Sequence, residues 1–309
     1  MTDPARIHRR LSALRSRFIA DRALFLPARE TAEILTGLGA SSRDLEALRR
    51  MGDDLVGDPT LPFRRSRNGR FALDFDARAI SRLAPQPFVL TAEEDFVRED
   101  SGVVRRFDEL TPALAGNSAL AALLVFKFLM IESVLVLPRA GLDYDAARSV
   151  TTLFALRTVT SAALLGEPAR EGVHTDGVDH TMTVFADSRN MSHDSAVTTL
   201  HTREQRTGAA WDETDPAHRI ARVQHTSFLD LLLVADNERK HSVSPLVAAD
   251  PEREATRDML IFFTRRPTAP SHVSAPYDSF VPHDRHPVVV DVGPPLPRAD
   301  AALHRARSR

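Results

Sequence analysis

The chain has 309 residues, 43% hydrophobic and 27% charged, with a formal net charge of -2. That is the composition of a soluble globular protein long enough to bury a sizeable core, with no general basic field to attract nucleic acid. With 0 cysteines, disulfides, zinc–thiolate sites, iron–sulfur clusters and cysteine nucleophiles are excluded together, and any metal must be held by His, Asp or Glu.

The charged start "MTDPARIHRRLSALRSRF" has no apolar segment of the signal-peptide kind, and a cytoplasmic location is expected. "ARETAEILTGLGASSRDLEALRRMGD" reads as two helices. The first ends near Gly37–Gly39, and the second opens on a serine N-cap. "NGRFALDFDARAI" reads as a turn and a short strand, and Pro85 and Pro87 mark a loop. The most apolar run, Ala119 to Pro138, approaches the ~20 residues of a membrane span. Lys127 and Glu132 interrupt it, so it is read as a buried helix running into a strand. Lys127 and Lys240 are the only lysines, so arginine carries nearly all the positive charge.

From about Ser149 the pattern changes. Short runs rich in Val, Thr, Leu and Phe ("SVTTLFALRTVTSAALL", "HTMTVFADS", "SAVTTLHT", "FLDLLLVAD", "RDMLIFFTRR") alternate with polar turns. This spacing predicts a mainly β fold, a sandwich or jelly roll with N-terminal helices packed on it. One domain is expected over 1–309: a helical and mixed part at 1–148, the catalytic β core at 149–266 and a C-terminal extension at 267–309, partly disordered at its end.

"EGVHTDG", Glu171 to Gly177, places a histidine and an acid two residues apart between glycines. In an extended chain such residues point to one face, so His174 and Asp176 can reach one ion while Thr175 points away. Gly177 permits an immediate turn. The third ligand is expected from another strand, and His241 in "DLLLVADNERKHSVSPL" is the best placed candidate. Sixteen residues later Arg257 opens the apolar run "RDMLIFF", with the chemistry to clamp a carboxylate by two parallel hydrogen bonds. Two histidines and one carboxylate make the facial triad of non-heme Fe(II) oxygenases. A 2-oxo acid can chelate through two of the remaining positions and O2 can take the last, with Arg257 holding the distal carboxylate of 2-oxoglutarate.

Taken together, "EPAREGVHTDG", "SRN", "DLLLVADNERKHSVSPL" and "RDMLIFF" resemble the Fe(II)/2-oxoglutarate dioxygenases related to bacterial L-isoleucine 4-hydroxylase, over about Ser149 to Arg266. The resemblance implies a double-stranded β-helix that acts mainly on free amino acids. By position it assigns His174, Asp176 and His241 to iron, Arg257 to 2-oxoglutarate and Asn190 to the vicinity of the site. The chain departs from that family's pattern at "MSHDS", where a glycine-rich step is usual, and at Met259, where a serine would complete an Arg-x-Ser clamp.

Other polar residues carry weaker functional readings. Arg157, inside an apolar strand, needs a partner if buried. Either a structural acid or the substrate's α-carboxylate would serve; the latter makes Arg157, together with Asn190, the expected polar contacts to the substrate. Arg253, in "DPERE", is the rival to Arg257. His180 reads as a packed histidine. His193 and Asp194 read as loop residues, because neighbours on a strand face opposite ways. The expected function is therefore an Fe(II)-, 2-oxoglutarate- and O2-dependent oxidation of an aliphatic C–H bond in a small substrate, a free L-amino acid. Hydroxylation is the expected outcome, with desaturation and cyclisation open to the same centre. Asp176 argues against halogenation, which needs its coordination position vacant. The alternatives are a cupin-like metal enzyme that does not use 2-oxoglutarate and a non-catalytic β-sandwich binding protein.

Overall fold

A computed structural model describes residues 4–94 and 98–296. In chain order the elements are α1 (Pro4–Asp21), β1 (Ala23–Leu26), α2 (Ala28–Gly37), α3 (Ser42–Arg49), β2 (Val56–Gly57), β3 (Arg64–Asp74), β4 (Ala79–Leu83), α4 (Pro112–Ala115) and α5 (Ser118–Ile131). There follow β5 (Arg148–Thr160), β6 (His180–Arg189), β7 (Thr198–His201), β8 (Arg219–Val223), β9 (Leu231–Ala235), β10 (Lys240–Val243), β11 (Ala255–Arg265) and β12 (Val289–Asp291).

The strands form two antiparallel sheets. The larger runs β1-β9-β6-β11-β5-β3-β4-β12, with β2 beside β3, and the smaller runs β10-β7-β8. Alternation along the central strands divides the interior into two parts. Leu153, Ala155, Met182, Val184, Leu260 and Phe262 pack into the helix-covered core, whereas Phe154, Leu156, Phe185 and Met259 form a second cluster on the opposite face. This is the mainly β, jelly-roll architecture expected, with the N-terminal helices laid on the large sheet.

The helix boundaries follow the expected chemistry. Ser41 Oγ accepts the Asp44 N–H at 3.1 Å and starts α3. Asn117 Oδ1 accepts the N–H groups of Ala119 and Leu120 at 2.8 and 3.0 Å and starts α5. Lys127, fully buried on α5, donates to the backbone carbonyls of His180 at 3.1 Å and Phe262 at 2.5 Å, which ties α5 to the centre of the large sheet. Among the described residues no helix is long and apolar enough to cross a membrane.

Two expectations are corrected. The apolar run does not continue into a strand: α5 stops at Ile131, and no strand forms over 132–138. Ser133 takes φ 56 there, and the Glu132 carboxylate is drawn to Arg78. Nor is the β core confined to 149–266, because β1, β3, β4 and β12 belong to the same large sheet. The sequence of β3 is rich in arginine, which disguises a central strand. Its Arg64 and Arg70 are neutralised by Asp58 at 2.7 Å and Asp278 at 3.0 Å. β12 lies in the C-terminal extension, whose last stretch is outside the described residues.

Candidate metal and cofactor site

The segment carrying His174 and Asp176 precedes β6 and is not itself a strand. An isolated antiparallel bridge pairs it with β10: the His174 N–H donates to the His241 carbonyl, and the His241 N–H to the His174 carbonyl, both at 2.9 Å. Residues directly opposed in such a pair present their side chains on the same side. The two imidazoles accordingly lie with ring centroids 4.3 Å apart. Gly172 and Gly177 bracket the segment with φ of 74° and 72°, a conformation that suits glycine, and a Cβ at Gly172 would lie 2.4 Å from the Ala209 carbonyl oxygen.

One donor atom from each of His174, Asp176 and His241 lies within 4.8 Å of the others. His174 Nδ1 is 2.8 Å from the Gly172 carbonyl oxygen. A carbonyl only accepts, so Nδ1 carries the proton and Nε2 is turned toward the site. The Thr181 hydroxyl donates to Asp176 Oδ2 at 2.5 Å. Beneath them Asp236, fully buried, accepts the Asp176 N–H on both oxygens and binds Arg139 at 2.8 Å. Its Oδ1 lies 4.0 Å from His241 Nδ1. An N/N/O set with no thiolate, its ligand orientations held by outer hydrogen bonds, suits Fe(II).

The electrostatics follow from burial and proximity. Burial alone would lower the His174 pKa, but Glu171, Asp176 and the Gly172 carbonyl outweigh it and hold the imidazolium up to about 10. His241 is pushed down to about 4 by burial, which outweighs the opposing pull of Asp176, and the His174 charge adds to the lowering. Burial opposes ionisation of Asp176, but the two imidazoles hold its carboxyl well below the usual range. Asp236 is raised to about 7 by burial and by the Asp176 charge, against the pull of Arg139. The site therefore sets a positive His174 beside an ionised Asp176.

Arg257, on β11, lines the same cavity as the three ligands. It is 5% exposed, burial lowers its pKa to about 10, and no acid is paired with it among the described residues. Its Nε has no hydrogen-bond partner there, nor has the hydroxyl of Thr158, its register neighbour on β5. His225 is pushed down to about 3, first by burial and then by the Arg257 charge, and its Nε2 lies 3.1 Å from the Thr183 hydroxyl. The same cavity has an apolar wall that includes Phe88, Phe107, Phe154, Leu156, Ile261 and Phe263.

Arg157 and Asn190 are not brought to this cavity, which corrects their expected role as substrate contacts. Thr158 faces inward, so Arg157 points to the other side of β5. There its guanidinium binds Asp258 through two contacts of 2.7 Å. Asn190 takes φ 53 and fastens a surface turn, donating to the carbonyls of Asp250 and Arg253 at 2.8 Å and accepting the Asp250 N–H at 2.9 Å. Arg253 is exposed in that turn. His180 is buried, with its ring 5.9 Å from Phe18 on the helix side of the sheet. His193 and Asp194 form an exposed pair 3.1 Å apart. Sequence reasoning passed over Glu171, Thr181, Asp236 and His225. Of these only Glu171 carried a signal, its place in the "EGVHTDG" stretch.

Residues 49–263 match the protein-family model described as 2OG-Fe dioxygenase. The chain is similar to the bifunctional enzyme flvA of Aspergillus flavus, 42% identical over 277 residues. The match takes in 90% of this chain and 34% of that enzyme, so the chain spans about a third of its relative's length. It is also similar to the solved Fe(II)/(alpha)ketoglutarate-dependent dioxygenase TqaL, at 44% identity and a TM-score of 0.81, covering 94% of this chain and 97% of that one. A bsmA homologue from Methylobium petroleophilum shares the fold at 20% identity and a TM-score of 0.67, covering 84% and 96% of the two chains.

Proposed function

We propose, from the premise that this chain belongs to the 2OG-Fe dioxygenase family, that it oxidises an aliphatic C–H bond of a free L-amino acid and does so by hydroxylation. The family's cofactors are Fe(II), 2-oxoglutarate and O2, and its substrates are small molecules. In this reading His174, Asp176 and His241 hold the iron and Arg257 receives the distal carboxylate of 2-oxoglutarate. The observation that carries it is the pairing, in one cavity, of an N/N/O triad with a buried arginine that has no acid beside it. A buried cation without a counter-charge is costly, and a bound dicarboxylate removes that cost.

When bound, iron, 2-oxoglutarate and O2 supply oxidative decarboxylation of the co-substrate and abstraction of hydrogen from the substrate. The chain's own residues do the positioning. His174 presents Nε2 because Gly172 takes the Nδ1 proton. Thr181 fixes the Asp176 carboxylate. Arg257 and Thr158, paired in register on β11 and β5, give the co-substrate a charged and a neutral donor. The aromatic wall excludes water from the reacting carbon and leaves few polar anchors to select the substrate. The resemblance to amino-acid hydroxylases supports the substrate class.

Anaerobic addition of Fe(II) and 2-oxoglutarate should produce a weak visible charge-transfer band in the wild type, and none in the His174→Ala or His241→Ala protein. A panel of the twenty standard amino acids, scored by succinate release and product mass, then tests the substrate. Gain of an oxygen atom marks hydroxylation; loss of hydrogen marks desaturation or cyclisation. Turnover without 2-oxoglutarate would favour the cupin-like alternative. Failure of every amino acid to raise succinate above the uncoupled background would sink the substrate class.

A further inference from the structure

Arg98, Arg105 and Glu171 line this cavity, and both arginines lie beside Asp100. Arg98 is held by Asp100, with Nε 2.9 Å from Oδ1 and Nη2 3.0 Å from Oδ2, and Arg105 Nη1 lies 3.5 Å from the same carboxylate. Glu171 Oε1 is 3.3 Å from His174 Nε2, and its Oε2 is 3.9 Å from Arg98 Nη1, beyond direct hydrogen-bond range. Glu171 is not among the residues whose donor atoms converge as a ligand set. It is a second carboxylate at the metal site, turned toward the cavity and left slightly apart from the nearest guanidinium.

We infer that Glu171 and Arg98 form a zwitterion-binding subsite, Glu171 holding the substrate's ammonium and Arg98, backed by Arg105, its carboxylate. The inference rests on the amino-acid reading above and deepens it by assigning both poles. Two considerations carry it. The first is the lining: among the described residues Glu171 and the proposed ligand Asp176 are the only carboxylates on the cavity wall, so Glu171 is the acid an ammonium group would meet there, with Arg98 beside it for an anionic group. The second is spacing. An α-amino acid holds its nitrogen and nearer carboxylate oxygen about 2.7 Å apart by standard bond geometry. Two charge-assisted hydrogen bonds of about 2.8 Å then close a four-sided figure with the 3.9 Å gap between Glu171 and Arg98. With the ammonium on Glu171, the α-nitrogen lies beside His174, and the side chain is left to the wall of Phe88, Phe107 and Leu156. Glu171 is thereby a specificity-determining residue for the proposed reaction.

The test compares L-alanine, L-valine, L-leucine and L-isoleucine with their 2-hydroxy acids, N-acetyl derivatives and amides, in the wild type, Glu171→Gln and Glu171→Asp. In the wild type, loss of either pole should cost about 100-fold in kcat/KM. In Glu171→Gln the preference for amine over hydroxyl should shrink to less than tenfold, and Glu171→Asp should restore part of it. The anaerobic Fe(II)–2-oxoglutarate band is recorded on each protein. Loss of the band in Glu171→Gln would assign Glu171 to the metal and overturn the subsite, as would an unchanged preference with the band intact. If no amino acid is turned over by the wild type, the function reading itself falls and the subsite with it. If the wild type turns over amino acids and Glu171→Gln keeps the preference, only the subsite falls.

Discussion

The Asp236 carboxylate accepts the backbone N–H of Asp176 on both of its oxygens, at 2.9 and 3.0 Å. One buried acid thus fixes the chain that carries the proposed carboxylate ligand, and it faces His241 Nδ1 at 4.0 Å. Outer partners of metal ligands are typically worth about 10–100-fold in metal affinity. Asp236→Asn should weaken Fe(II) or Co(II) binding by that amount while far-UV circular dichroism stays at the wild-type value. Unchanged metal affinity would make Asp236 a purely structural anchor for Arg139.

Metal binding should release protons. Free His174, held up to about 10 chiefly by Glu171 and Asp176 against its burial, is charged at neutral pH. A ligating imidazole must lose the proton on its metal-facing nitrogen. His174's raised pKa means the protonated form competes with metal below about 10, so affinity should rise with pH, by up to about tenfold per unit, across the neutral range. Calorimetry of Fe(II) binding in buffers of different ionisation enthalpy should register about one proton released at pH 7. Zero release would mean His174 is already neutral.

The two arginines considered for the 2-oxoglutarate carboxylate differ in burial. Arg257 is 5% exposed and lines the cavity; Arg253 is exposed in the surface turn fastened by Asn190. Arg257→Ala should cost about 2–5 kcal/mol in 2-oxoglutarate binding, part of it from leaving the co-substrate's carboxylate unpaired. Arg253→Ala should leave the affinity within twofold. Titration of the charge-transfer band with 2-oxoglutarate measures both, and a larger effect at Arg253 would reverse the assignment.

Arg157 should prove to be a stability residue. Asp258, its bidentate partner, is 1% exposed; burial raises its pKa, and the Arg157 guanidinium works against that rise. Removing one member of such a pair strands the other, at a cost of about 3–5 kcal/mol. Arg157→Ala should lower the urea midpoint accordingly and leave the ranking of substrates unchanged. A changed ranking at wild-type stability would return Arg157 to the substrate.

Much of this architecture was legible beforehand because the relevant signals are local. The Ser41 cap, the apolar α5 and the two-residue alternation of β5, β6 and β11 each depend on neighbours in the chain. β3 was under-read because its arginines look solvated until Asp58 and Asp278 come into place across the fold. His174 and Asp176 were legible for a reason only partly right. The two-residue spacing does bring both to one point, but on an isolated bridge to His241 rather than on a continuous strand.

By itself the sequence determined the ligand chemistry: with no cysteine, a metal site here has only imidazole and carboxylate to use, and one stretch supplies both at a spacing that converges. Tertiary structure alone decided the use of each arginine. Alternation along a strand reports which face a side chain takes, not what stands opposite it. Arg157 and Arg257 lie on paired neighbouring strands and read alike as charges in apolar runs. The Asp258 carboxylate, 101 residues from Arg157, claims the first. The second is buried facing the triad with no acid beside it, because β11 turns it into the cavity and the neighbours it finds there are Thr158 and His225, which are neutral.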